Sequence, residues 1–291
     1  MMNKSNISNT KNFFITLCAF VITLCPLWLN AQTKNELSIS LFGGMSGLNS
    51  VVSEGVSKNG YGGGLGADYY FGFNPKFGMR AGIEVAMFNS EYSADELLIK
   101  YLTQDIYDDS FEFRSTVKKY YETQNVFFLQ IPLMLQYQTN GYNRFYLAFG
   151  GKAGFPIVAN NKNNALNIKN SGYYPYEDYE YTIEQFMGFG EFNIPEGKNK
   201  FNLNPAFFLS VETGGKFNIS DVIRLYIGAY LDYGINNIVK NNEELYLIEY
   251  NPQDPRYFTI NSIFNSQTEK IVMEKVIPVS LGIKIRLALG M

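Results

Sequence analysis

The chain has no histidine, one tryptophan and two cysteines in 291 residues. Without an imidazole, neither a serine nor a cysteine nucleophile can be paired with a histidine base, and no histidine-ligated metal site can form. Both cysteines, Cys18 and Cys25, lie in the first 31 residues. Once that segment is removed, no disulfide framework is available. Positive charge is also scarce. The formal net charge is −3, which leaves no basic footprint for nucleic acid. Beyond the N-terminus no helical run is apolar enough to span a bilayer, which excludes a protein that crosses a membrane with helices.

The N-terminus has a separate logic. Lys4 and Lys11 precede an apolar run, Phe13–Leu29, that ends at Asn30-Ala31-Gln32. A basic start, a hydrophobic stretch and a small residue at the junction predict a secretory signal peptide over 1–31, cut between Ala31 and Gln32. Leu17 and Leu24 precede the two cysteines, so the pattern for an acylated cysteine is not met. Removing 1–31 takes away Lys4, Lys11 and no acid, which lowers the net charge from −3 to −5. The remaining residues, 32–291, are expected to form a single domain.

That domain reads as strands with period two. The last of them sets Ile277, Val279, Leu281, Ile283, Ile285 and Leu287 on one face, against Pro278, Ser280, Gly282, Lys284, Arg286 and Ala288 on the other. A strand with only aliphatics on one side and charge plus glycine on the other separates two different media. The pattern recurs over 36–46, 60–73, 77–88, 125–138, 144–156, 206–217 and 222–234, giving eight strands. No Asp, Glu, Lys or Arg falls on the apolar face of any of them.

The connections divide by length. Asn74-Pro75-Lys76, Thr139–Asn143 and Asn218–Asp221 have the composition of tight turns. The alternate connections, 48–59, 89–124, 157–205 and 235–274, are long. Short turns on one side, long loops on the other and an even strand count predict an all-β fold: an antiparallel up-and-down transmembrane β-barrel with periplasmic turns and extracellular loops. Outward aromatics cluster near both strand ends, as at membrane interfaces. Two short alternating runs, 244–250 and 256–260, raise ten strands as the alternative count. Each is shorter than the roughly 9–11 residues of a spanning strand, so a hairpin above the membrane is expected. The competing reading is a soluble secreted ligand-binding barrel with its apolar face inward. It would turn a glycine-rich face to water, where dense charge is usual.

Leu129-Gln130-Ile131-Pro132-Leu133-Met134-Leu135, followed by a short turn and Phe145-Tyr146-Leu147-Ala148-Phe149-Gly150, resembles a strand pair of the PorT-like outer-membrane beta-barrel family of Bacteroidota. The eight-strand plan is also similar to OmpA-like barrels. The resemblance implies residence in the outer membrane of a Gram-negative bacterium, contact with outer-membrane lipid and lipopolysaccharide, and handling by the barrel-assembly machinery. It also implies, as one alternative, an accessory part in type IX secretion. Gln130 and Gln136 stand where the family usually has Glu and Lys.

Glycine-side charges are expected to pair inside a narrow lumen and plug it. They are Asp68, Arg80, Glu84, Lys152, Glu212, Lys216, Arg224, Asp232, Lys284 and Arg286. No catalytic residue, metal ligand or cofactor site is expected, and the chain reads as a non-enzymatic protein. Its acidic loops are the candidate contact surface, above all the tyrosine-dense stretch bearing Tyr173, Tyr174, Tyr176, Tyr179 and Tyr181. A surface ligand or a secretion partner is the expected occupant. Ser93-Ala94-Asp95-Glu96 ahead of Leu97, Leu98, Tyr101 and Leu102 matches a capping box and predicts a short amphipathic helix.

Overall fold

The computed structural model describes residues 35–240, 245–268 and 273–291. The expected signal segment and its Ala31–Gln32 junction lie outside the described residues. Thirteen strands are present among them: β1 (Glu36–Val52), β2 (Val56–Asn59), β3 (Tyr61–Gly72), β4 (Phe77–Gln104), β5 (Ser110–Gln138), β6 (Asn143–Tyr174), β7 (Tyr179–Tyr181), β8 (Gly190–Lys200), β9 (Ala206–Asn218), β10 (Ile223–Gly234), β11 (Ile248–Glu249), β12 (Thr259–Ile260) and β13 (Met273–Gly290).

Eight of these close a ring in the order β1, β3, β4, β5, β6, β9, β10, β13, with β13 returning to β1. Every pairing in the ring is antiparallel, and Leu41 opposite Ile285 is typical of the closing seam. Closure matters physically because a lipid-exposed strand edge would leave backbone groups without partners. β11 and β12 form a two-residue ladder outside the ring, so the strand count is eight.

The short turns are set by side-chain acceptors. Asn74 Oδ1 accepts from the amides of Lys76 and Phe77, both at 2.9 Å. Thr139 Oγ1 accepts from Phe145 N at 2.9 Å, and Ser220 Oγ from Ile223 N at 3.0 Å. Gly141, at φ +124°, supplies a conformation that L side chains rarely adopt.

The alternation sorts the media as expected across the barrel wall. On β13, Leu281, Ile283, Ile285 and Leu287 are exposed, whereas Ser280, Lys284, Arg286 and Ala288 are buried. The long connections differ from expectation. β4, β5 and β6 run on for 28, 29 and 32 residues, well past the apolar band that ends near Met87, Phe127 and Val158. The helix expected over Ser93–Leu102 is absent, and that stretch is the middle of β4. Leu97 and Ile99 are buried while Leu98 and Leu102 are exposed, and the ladder to β5 continues to Gln104 opposite Ser110. Pairing with a neighbour strand overrides the local capping signal, as tertiary context does for any weak propensity.

Along the inner face of β4, polarity falls with distance from the short turn. Arg80 and Glu84 come first, then Ala86, Phe88 and Tyr92, then Leu97 and Ile99. The upper residues belong to an apolar core shared with β5, β6, Phe189, Ile238, Leu247, Ile248, Ile263 and Phe264. The chain is thus a membrane barrel whose wall continues upward into an extracellular head.

Candidate functional site

Ten lumen charges named from the glycine side of the strands all lie buried inside the ring. Seven form one continuous chain. Arg80 reaches Asp68 at 3.6 Å and Glu212 at 2.6 Å. Lys284 joins Glu212 at 2.8 Å to Glu84 at 2.5 Å. Lys152 joins Glu84 at 2.7 Å to Asp232 at 2.8 Å. The chain ties β3, β4, β6, β9, β10 and β13 together across the axis. Charges taken from water survive only when so paired. Phe42 covers the cluster, with its ring 5.2 Å from Lys284 Nζ and 5.7 Å from Lys152 Nζ.

The other three charges gather nearer the short turns around a residue that the sequence reading left out of the network, Glu36. Its carboxylate accepts from Lys216 at 2.7 Å and from the Tyr226 hydroxyl at 2.6 Å, with Arg224 at 3.4 Å. Arg286 stacks 4.0 Å over the Tyr226 ring and donates to Gln136 Oε1 at 3.1 Å. Glu36 was detectable: it is two residues before Ser38 on the glycine face, at the strand's first position. Gln136 is thus a neutral acceptor for Arg286. A cavity of about 550 Å³ opens below this cluster at the short-turn mouth.

Each buried carboxylate of the central chain faces cations, and its residue is nearly inaccessible. Among the described residues, no group of three or more His, Cys, Asp or Glu is placed to hold a metal ion. Above Phe42 the lumen is filled by rings: Phe88 lies 5.5 Å from Phe128 and 6.0 Å from Phe208. Ions below and aromatics above make a plug.

In the head, Glu122 is a second buried acid that sequence reading missed. It accepts from Tyr120 Oη at 2.5 Å, Gln124 Nε2 at 2.9 Å, Ser262 Oγ at 2.8 Å and Ile263 N at 3.1 Å. None of the four is a cation, and burial pushes the carboxyl up. The last two bonds pin the 245–268 segment to β5. Glu122→Ala should cost on the order of 3 kcal/mol, read as new protease cleavage within 245–268 while the barrel stays folded. A raised acid stabilises the fold below its unfolded pKa, and that increment is lost as pH rises through the folded value. Protection of 245–268 should therefore improve on acidification, and this dependence should vanish in the alanine variant.

The tyrosine stretch divides between core and surface. Tyr174 is buried, its hydroxyl donates to Asp105 at 3.1 Å and its ring stacks 5.0 Å from Phe111. It is therefore part of the head core, which corrects its placement among the contact residues. Tyr173 lies under Arg114 at 4.7 Å and donates to Asp178 at 2.7 Å. Tyr181 donates to Glu177 at 2.9 Å. Tyr176 and Tyr179 are exposed, at 66% and 56%. Tyr107, Ile183, Phe186 and Tyr257 are also exposed, on segments brought alongside by the Tyr174–Asp105 bond and by Gly188 packing on the Pro255 carbonyl. Isolated aromatics in loops carry no sequence signal of such convergence.

A closed ring of eight antiparallel strands with lipid-facing aliphatics and an ionic interior defines an outer-membrane β-barrel. Residues 30–240 match the family described as outer membrane protein beta-barrel domain, and the chain belongs to it. No curated protein sequence matches the chain. Three solved structures are similar over most of their length. Neisserial surface protein A is 10% identical, with 88% of this chain and 96% of that one covered and a TM-score of 0.30. OprG of Pseudomonas aeruginosa is 10% identical, with 89% and 95% covered and a TM-score of 0.35. Ail, the attachment invasion locus protein of Yersinia pestis, is 12% identical, with 89% and 99% covered and a TM-score of 0.28.

Proposed function

We propose that this is a non-enzymatic outer-membrane barrel whose lumen serves only as a structural plug and whose extracellular head recognises a surface ligand. The observation that carries this reading is the exposed aromatic group Tyr107, Tyr176, Tyr179, Phe186 and Tyr257 at the end of a head with its own apolar core. Aromatic side chains have few torsions to fix when a partner covers them, and Tyr176 and Tyr179 already pack edge-on against Tyr174 and Tyr181, which suits recognition through ring faces.

The finer placement in the PorT-like branch of Bacteroidota rests on the Leu129–Leu135 strand. The reading as an accessory of type IX secretion puts the contact at turns or rims instead. The double variant Tyr176→Ser/Tyr179→Ser separates the two, because it leaves the buried Tyr174 in place, whereas a deletion of 173–181 would not. Loss of surface binding with normal secretion supports recognition by the head. The reverse result supports the secretion role. In planar bilayers the purified barrel should show no conductance of porin size. A steady open pore would refute the plug.

A further inference from the structure

The cavity of about 550 Å³ at the short-turn mouth lies below the plug, at the end of the barrel opposite the head. Small-molecule sites commonly measure roughly 300–1,000 Å³. Its charged lining sets three cations, Arg144, Lys216 and Arg224, against two acids, Glu36 and Asp221. Arg144 stands directly opposite Lys216 across the β6–β9 ladder, a like-charge pairing that a counter-anion relieves.

The hydrogen bonds already made in the mouth show which groups still lack a partner. Lys216 is committed to Glu36 at 2.7 Å and to Gln138 Oε1 at 3.0 Å. Gln138 Nε2 donates to the Pro75 carbonyl, and Asn218 Nδ2 to the Tyr142 carbonyl. The Tyr70 hydroxyl, on a residue 3% exposed, has no hydrogen-bond partner. Arg224 is 5% exposed, and its Nη1 also has none; it approaches Glu36 only to 3.4 Å. Half-buried Arg144 donates through Nε to the Gly141 carbonyl at 3.0 Å, and among the described residues no carboxylate pairs with it. All three groups can donate, so the mouth is short of an acceptor. Guanidinium groups suit the oxygens of carboxylate and phosphate. The exposed ring of Tyr142 stands at the rim.

We propose that this mouth binds a small organic anion from the periplasmic side. Its carboxylate or phosphate accepts from the Tyr70 hydroxyl, Arg224 and Arg144, and its body lies against the Tyr142 ring. The plug above the site means that the anion is held and not passed through. The inference is independent of the aromatic tip of the head.

The test titrates benzoate, phenyl phosphate and the uncharged benzamide into the full chain in detergent, by calorimetry against detergent alone. One anion per barrel is expected, and the tighter of the two anions tells carboxylate from phosphate. Arg144→Gln and Tyr70→Phe should each weaken it roughly ten-fold, the worth of one hydrogen bond to a charged group. Tyr70→Phe should leave the ligand-free heat-modification midpoint undiminished, because the hydroxyl it removes has no partner to lose. Lys58→Gln, an exposed lysine in the upper wall, should bind like the native chain. Binding of neither anion at millimolar concentration would overturn the proposal. So would benzamide binding as tightly as benzoate, or native affinity in both folded variants of the mouth. Tyr176→Ser/Tyr179→Ser should leave anion binding unchanged, so failure here is separable from failure of the head reading.

Discussion

Ile283→Lys is expected to abolish normal outer-membrane yield. Ile283 is 63% exposed at mid-strand in β13, and its ladder neighbours are Gly43 and Ala229. Its side chain therefore points at acyl chains, with the aliphatics Leu281 and Ile285 on either side along the strand. An ammonium at the bilayer midplane of a barrel costs about 2–4 kcal/mol, and mid-strand is too far from either interface for full relief by reaching outward. Heat-modifiable migration and membrane fractionation measure the outcome. Normal yield would contradict the assignment of faces. Gly282→Ala, one residue away, should also damage the barrel, but for a different reason. A Cβ at Gly282 would run into the Gly43 carbonyl and the Gly44 Cα of β1. The defect is therefore in strand-to-strand approach and not in solvation.

The second large effect is expected at Glu84. Its two oxygens are divided between Lys152 and Lys284. Glu84→Gln keeps the volume but leaves two buried ammonium groups each short of a partner. Breaking a buried pair from one side typically costs about 3–5 kcal/mol. The urea midpoint for unfolding in detergent should fall accordingly. Adding Lys152→Met removes one of the uncompensated charges and should restore part of the loss, a coupling that a double-mutant cycle reads directly. Additive losses would show that the two residues do not form one unit.

Much of the barrel was legible because lipid imposes a simple rule: the Leu281–Leu287 row cannot face water, and Lys284 with Arg286 cannot face lipid. The three tight turns followed from Asn74, Thr139 and Ser220. The head was harder to read because the rule inverts along one strand. In β5, Leu129, Ile131, Leu133 and Leu135 point outward in the membrane, whereas Phe111, Phe113 and Val117 point inward above it. A bulge between Val117 and Tyr120 shifts the alternation by one residue, and the inner face turns apolar above the membrane, so a search for outward apolar faces stops near Phe127. The Ser93–Glu96 box then offered a plausible local alternative. Glu122 was missed and Tyr174 was placed on the surface for the same reason: their partners, Ser262 and Asp105, lie far away in sequence, and only the fold brings them together.

The unbroken run of β4 has a mechanical corollary. From Asn89 to Gln104 it rises about 50 Å at roughly 3.3 Å per residue, with no swivel between stave and summit. Tugging on Tyr107 should therefore load the wall of the cylinder itself, as a mast loads the hull in which it is stepped. A grip made at that height would be held clear of the bilayer and would resist shear.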